Sequence, residues 1–314
     1  MNNRILHVLV AAAAILTVES CGIAGSIIIR RGLEREYGSM DVFKSKEMME
    51  RRVPGLSSWI DRMYLSGRMR DTTIVRDGYR LHANYAATQA LSGKTAIIVH
   101  GYSANTMNMM HIARMFCDSL GYNVLLPDLR HHGLSEGDAV QMGWLDRLDV
   151  LDWSAIAHEI FDDTLQVFHG ISMGAATIMN ASGEDTPDYV RGFISDCGFS
   201  SLWDVVDTLA TERKLPAAYL LKDMETKIDR RFGWSIRADE PARQIAKCSK
   251  PMLFIHGDAD QIVPVSMART NYDAKVQGYR EIWIAEGSRH AFSYPDYPAE
   301  YTAVVRRFLK EHVE

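Results

Sequence analysis

Gly170-Ile171-Ser172-Met173-Gly174 sets one hydroxyl between two residues that lack a Cβ. Flanking glycines allow a sharp turn and close backbone packing, which presents the serine side chain to an incoming substrate. A serine hydroxyl is a poor nucleophile without a base, and the base is commonly a histidine oriented by a carboxylate. Asp260 follows Ser172 by 88 residues, and His290 follows Asp260 by 30. Together the three could run acyl transfer: Ser172 attacks, His290 carries the proton and Asp260 holds the imidazole. The glycine-serine-glycine pattern alone is weak, since chance supplies it in about one chain in ten of this length. Without partners it would be a turn with no chemistry. Asp258 and Asp196 are alternative carboxylates for the third role.

A developing oxyanion needs preorganised donors, worth roughly 3–4 kcal/mol each. The backbone amide of Met173, at the start of a helix, is one candidate, and the amide of Tyr102, after His100-Gly101, is the other. His100 is expected to shape its loop and not to transfer protons. Adjacent histidines such as His131-His132 rarely hold one ion together, and no third ligand accompanies them. Asp128 and the segment 130–133 therefore look like a brace for the site. No metal and no cofactor is expected.

What must position these residues is legible in the apolar runs. Residues 72–76 and 79–87 flank Asp77-Gly78, a strong hairpin signal. Short apolar runs follow at 95–99, 123–126, 165–168, 192–194, 251–255 and 281–284, separated by helical stretches. Strands alternating with helices mean an α/β fold: a mostly parallel sheet with helices on both faces and an N-terminal antiparallel hairpin. Ligands bind beyond the carboxyl ends of such strands. His100, Asp128, Ser172, Asp196, Asp260 and His290 each fall just past one of these runs.

From about 72 to 312 the chain resembles the α/β-hydrolase superfamily, in particular its serine-aminopeptidase/monoacylglycerol-lipase-like branch. The resemblance is carried by His100-Gly101-Tyr102, Arg130-His131-His132-Gly133-Leu134-Ser135-Glu136-Gly137, the glycine-flanked Ser172, His256-Gly257-Asp258-Ala259-Asp260 with Val263-Pro264, and Arg289-His290. It is similar to bacterial membrane-anchored hydrolases of undefined substrate. The resemblance implies the order serine, acid, histidine found here. It also implies a cap inserted at about 199–247. Ile171 stands where many lipases have histidine, and 100–104 lacks the extra glycines of another esterase group. Ser172 argues against the dehalogenases, which use an aspartate.

The cap region is rich in apolar residues, among them Leu202, Trp203, Val205, Leu209 and Leu220. Most should pack on the core; any that face the pocket would favour an acyl or aromatic group. The expectation is a serine hydrolase, a carboxylesterase for short or medium acyl esters. An aminopeptidase-like enzyme is the alternative, with Asp204, Asp207 or Glu212 receiving a free amine. A non-catalytic binding protein is the other.

The 314 residues are 47 % hydrophobic and 24 % charged with a net charge of −5, which suits a sizeable core and offers no basic excess for nucleic acid. Cys21, Cys117, Cys197 and Cys248 form neither a CxxC pair nor a Cys/His cluster, so isolated thiols are expected. Residues 5–18 and 21–29 are apolar around Glu19-Ser20, and Arg30-Arg31 end the run. A membrane anchor over 5–29 is the leading reading, with a cleaved signal peptide or a lipoprotein signal at Cys21 as alternatives. The domain is expected outside the cytoplasm, although Arg30, Arg31 and Arg35 would favour the opposite side. Residues 30–70 read as a helical linker packing on a hydrolase domain at 71–314, with Trp59, Ile60, Met63 and Tyr64 at helical spacing.

Overall fold

A computed structural model describes residues 23–34, 41–89 and 92–314. Most of the apolar N-terminal run, 5–22, lies outside the described residues. Helix α1 covers 23–32. It is followed by α2 (Val42–Arg52), α3 (Leu56–Leu65), β1 (Met69–Arg76), β2 (Tyr79–Ala86), β3 (Lys94–Val99), α4 (Met110–Arg114), β4 (Asn123–Pro127), α5 (Asp146–Phe161), β5 (Leu165–Ile171) and α6 (Met173–Ala181). Next come β6 (Val190–Asp196), α7 (Leu202–Glu212), α8 (Ala217–Phe232), α9 (Pro241–Ile245), β7 (Met252–Gly257), α10 (Val265–Ala274), β8 (Arg280–Ala285), α11 (Ser293–Asp296) and α12 (Pro298–Phe308).

The eight strands form one sheet in the order β1-β2-β4-β3-β5-β6-β7-β8. β1 and β2 pair antiparallel, β2 joins β4 antiparallel, and the remaining pairs are parallel. The expected hairpin turns at Asp77-Gly78, where both residues have positive φ (51° and 83°), as a two-residue turn matching strand twist requires. The central strands are apolar without alternation because helices cover both faces: five of the six residues of β3 are buried, and all six of β7.

Two apolar clusters result, one on each face. On one face α5 and α6 bury Trp153, Ile178 and Met179 against Phe168, Phe193 and Phe254 of the sheet. On the other, α2, α3, α4 and α12 bury Trp59, Ile60, Met63, Phe116, Tyr301 and Phe308. Leu56, Trp59, Ile60 and Met63 of α3 face inward, while Tyr64 lies at the rim and accepts from the Asn84 amide at 2.9 Å.

Helix α1 packs on protein. Ile29 is 1 % exposed and Leu33 7 %, both within the first cluster. Lys227 Nζ of α8 donates to Ser26 Oγ at 2.8 Å, Arg231 pairs with Glu34 at 2.5 Å, and Val140 N–H donates to the Leu33 carbonyl at 2.9 Å. The C-terminal end of the apolar run thus shares its burial with α8 and the body of the domain. No helix among the described residues is long and apolar enough to cross a membrane.

Candidate active site

β5 ends on Ile171, and α6 begins at Met173, leaving Ser172 alone at the junction with φ 57° and ψ −120°. That backbone is costly for a residue with a Cβ, by about 1–3 kcal/mol, and persists only where the surroundings enforce it. The flanking glycines explain how. A Cβ on Gly170 would sit 2.2 Å from the Gly174 carbonyl oxygen, and one on Gly174 would sit 2.2 Å from the Val99 carbonyl oxygen. Only glycines let the helix start this close to β3 and β5. Ser172 N–H donates to the Asp196 carbonyl at 2.8 Å, which ties the elbow to β6.

His290, five residues past β8, brings Nε2 to 2.8 Å from Ser172 Oγ. Its Nδ1 lies 2.6 Å from Asp260 Oδ2. A carboxylate accepts only, so the proton sits on Nδ1 and the Nε2 lone pair faces the serine. The other carboxylate oxygen of Asp260 accepts from the amides of Ile262 (2.8 Å) and Val263 (2.9 Å). Burial alone would raise the Asp260 pKa. Hydrogen bonds from His256 and His290, the charge of His290 and the Val263 amide outweigh it and hold the carboxyl well below the usual range.

His256 belongs to the segment His256-Gly257-Asp258-Ala259-Asp260, whose spacing gives it no role of its own. The fold places its Nε2 at 2.8 Å from the Val263 carbonyl and 3.2 Å from Asp260 Oδ2. The carbonyl accepts only, so Nε2 carries the proton and shares it between the two oxygens. The other two carboxylates go elsewhere. Asp258 accepts from Gly287 N–H at 2.6 Å, fastening the turn before His290. The Asp196 carboxyl takes the Tyr301 hydroxyl at 3.1 Å and that of Ser293 at 3.4 Å, and burial pushes its pKa up to about 6.

Met173 opens α6, so its N–H has no acceptor within the helix and lies at the positive end of the dipole. Tyr102 belongs to the loop after β3, which lies against the serine: a Cβ on Gly101 would be 3.2 Å from Ser172 Cβ. The Tyr102 hydroxyl donates to the Gly32 carbonyl at 2.7 Å, so α1 helps to hold this loop. His100 is buried; its Nδ1 lies 2.8 Å from the Gly101 carbonyl and its Nε2 accepts from Leu129 N–H at 3.0 Å. Asp128 ties three segments together through His82 Nδ1 (2.8 Å), Thr106 N–H (2.8 Å) and Leu134 N–H (3.0 Å).

The two adjacent histidines point at carbonyls: His131 contacts Gly137 and Glu34, and His132 contacts Arg130. Among the described residues, one trio of His, Cys and Asp side chains is close enough to hold an ion, namely Cys197, Asp260 and His290. The last two are already bonded to each other. Burial, with Asp196 and Asp260 nearby, pushes the Cys197 thiol well up, which disfavours a free thiolate there.

Ser172 and His290 open onto a cavity of about 220 Å³. Its walls are mostly apolar: Met48 and Met49 of α2, Met109, Ile171, Ala291 and Pro295. His111 also lines it, and burial pushes that imidazole down to about 3, so it is neutral. No residue of the cap region 199–247 is part of the lining. Leu202, Ala210, Leu220 and Met224 instead pack into the first apolar cluster together with α1. Part of the apolar wall therefore comes from α2, within the segment expected only to pack on the domain. Asp204, Asp207 and Glu212, considered for a substrate amine, do not reach the cavity lining.

Comparisons with known proteins agree with this architecture. Residues 96–305 match the alpha/beta hydrolase family. The chain is 34 % identical over 284 residues to the uncharacterized protein YqkD of Bacillus subtilis, covering 90 % of this chain and 86 % of that protein. It is 27 % identical over 174 residues to protein bem46 of Schizosaccharomyces pombe, covering 55 % and 53 %. Among solved structures, the Pyrococcus furiosus esterase Pf2001 superposes with a TM-score of 0.64 at 22 % identity, over 78 % of this chain and 92 % of that one. The Pyrococcus horikoshii acylaminoacyl peptidase gives 0.58 at 16 %, over 78 % and 42 %. At those identities the structures speak for the fold alone; the matched span and the YqkD relation establish the family. The chain is a member of the α/β-hydrolase family.

Proposed function

We propose that the protein is a serine hydrolase, a carboxylesterase for short or medium acyl esters, with Ser172, His290 and Asp260 as its triad. The observation that carries this reading is the unbroken chain of contacts from Ser172 Oγ to His290 (2.8 Å) to Asp260 (2.6 Å), opening on a cavity. Ser172 Oγ attacks the ester carbonyl while His290 Nε2 takes its proton. The carbonyl oxygen gains negative charge and rests on the amides of Met173 and Tyr102. The C–O bond then breaks, and the alcohol leaves with the proton from His290. Water repeats the sequence on the acyl-enzyme and releases the acid and free Ser172. Asp260 holds the imidazole and stabilises its cation.

Two features favour an ester over a peptide with a free amino terminus. The cavity is smaller than the roughly 300–1,000 Å³ of most ligand pockets. Among the described residues no carboxylate lines it to receive an ammonium. The N-terminal apolar run at 5–29, most of which lies outside the described residues, is proposed to associate the enzyme with a membrane, its domain outside the cytoplasm; recovery in a washed membrane fraction checks the association.

A fluorophosphonate probe should label the wild-type protein at Ser172 and fail to label Ser172→Ala. Absence of labelling in folded wild type would remove the triad assignment. Faster turnover of aminoacyl amides than of acyl esters would overturn the choice of ester.

A further inference from the structure

Arg52, the last residue of α2, is the one Lys, Arg, Asp or Glu among the described residues lining the cavity. Its guanidinium carbon lies 4.7 Å from the centre of the Phe292 ring. Arg289, directly before His290, lies 4.7 Å from the same ring. Two cations thus share one ring, Arg52 at the cavity wall and Arg289 next to His290 in the chain. Several other arginines meet carboxylates: Arg130 with Asp149 at 2.6 Å, Arg147 with Glu184 at 2.7 Å, Arg231 with Glu34 at 2.5 Å. Among the described residues, no carboxylate pairs with Arg52 or Arg289, although the chain carries 40 acidic residues. Burial and the like charge of Arg289 both push the Arg52 pKa down, with no acidic group offsetting them.

Stacking on Phe292 offsets part of the cost of holding two like charges together. An anion at Arg52 would offset more, and the planar fork of Arg suits a carboxylate. The lining between Arg52 and Ser172 is apolar and neutral. A cavity of about 220 Å³, below the roughly 300–1,000 Å³ of most ligand pockets, suits a short chain better than a long one.

We infer that Arg52, seconded by Arg289, binds a carboxylate carried by the substrate, so that the preferred esters are short and negatively charged. This rests on the serine-hydrolase reading for its catalytic arm and stands without it for binding. The charge can lie on the acyl group, as in a monoester of glutaric acid, or on the alcohol.

Two matched pairs of esters distinguish these sources. Phenyl hydrogen glutarate against phenyl pentanoate tests the acyl side, and 4-acetoxybenzoate against phenyl acetate tests the leaving side. In one pair kcat/KM should favour the charged ester by roughly ten-fold, the size of one charge-assisted contact at a partly exposed site. Arg52→Gln should abolish that preference, Arg52→Lys should retain part of it, and added salt should reduce it. Equal rates within both pairs, or an Arg52→Gln variant that slows charged and neutral esters alike, would overturn the inference. Thermal melting of each variant separates misfolding from loss of preference. Calorimetric titration of glutarate into Ser172→Ala protein reads the subsite without chemistry: heat that vanishes in the Ser172→Ala/Arg52→Gln double variant supports it, and no heat in the single variant refutes it. An enzyme that neither labels with a fluorophosphonate nor turns over any ester removes the serine-hydrolase reading, and the titration then decides the subsite alone.

Discussion

Replacing Asp260 by Asn tests the triad most sharply, because the fold dictates which way the new amide points. Oδ1 of Asp260 accepts two backbone N–H groups, from Ile262 and Val263. The Asn carbonyl oxygen must take that place, since an NH₂ there would face two donors. The NH₂ then replaces Oδ2, 2.6 Å from His290 Nδ1. Nδ1 must now accept, so the imidazole proton moves to Nε2 and points at Ser172. A histidine in that tautomer cannot take the serine proton. The same change deletes an attraction between carboxylate and imidazolium worth about 6 kcal/mol at 2.6 Å and an effective dielectric near 20. The equivalent substitution in a serine protease lowers kcat by about 10⁴, or about 5.5 kcal/mol, which agrees with that magnitude. Asp260→Asn should therefore reduce kcat/KM on a chromogenic acyl ester by roughly 10⁴ with little change in melting temperature. Asp196→Asn and Asp258→Asn should stay within about ten-fold of wild type, because neither carboxylate touches His290. An Asp260→Asn enzyme within ten-fold of wild type, or an equal loss on changing Asp196, would refute this account.

Gly174→Ala should disable the serine elbow. The added Cβ would lie 2.2 Å from the Val99 carbonyl oxygen at the end of β3 and 2.6 Å from that of His100 just past it, both backbone atoms. The strand and helix must part, at about 1–3 kcal/mol or more in stability. A displacement of about 1 Å at Ser172 should slow phosphonate labelling by about 100-fold; wild-type labelling and melting would contradict this. Asp146→Asn should alter how stability varies with pH. Burial, with Asp149 second, pushes the Asp146 pKa from 3.8 up to about 7. The folded state therefore holds its proton after the unfolded state has released it, and this residue makes stability fall as pH rises from about 4 to about 7. The Asn side chain can still accept from Gly143 N–H, as Asp146 does at 3.0 Å. Relative to wild type, the variant should gain on the order of 4 kcal/mol across that window. Urea midpoints at pH 4.5 and 8 measure it, and a constant offset between the two proteins would rule it out.

Much of the sheet was legible because its signals are local. Each parallel strand is a short apolar run buried on both faces, and Asp77-Gly78 announces its own turn. Strand ends were less so: the run at 192–194 belongs to a strand from Val190 to Asp196, since pairing with β5 and β7 extends it through polar residues. The cavity wall was not legible at all. α2 shows an ordinary amphipathic pattern, and nothing in it says that Met48, Met49 and Arg52 meet a serine more than 100 residues away. The apolar residues expected to pack the cap region on the core do so, against α1 and the first cluster.

The sequence by itself determined the chemistry on offer: a hydroxyl between glycines, a carboxylate and an imidazole in order, each just past an apolar run. Those are properties of residue type and local spacing, and strand ends place them on one edge of the sheet. The order of the residues favours Asp260 as the carboxylate at the imidazole, with Asp258 and Asp196 as alternatives that spacing does not exclude. Tertiary structure decided that, by giving Asp258 to the Gly287 amide and Asp196 to Tyr301 while aiming Asp260 at His290. It also decided what a substrate would touch. Hydrogen bonds reach about 3 Å and depend on direction, so a residue's role follows from where the turns of the chain put it, and those turns are set by packing across the whole domain.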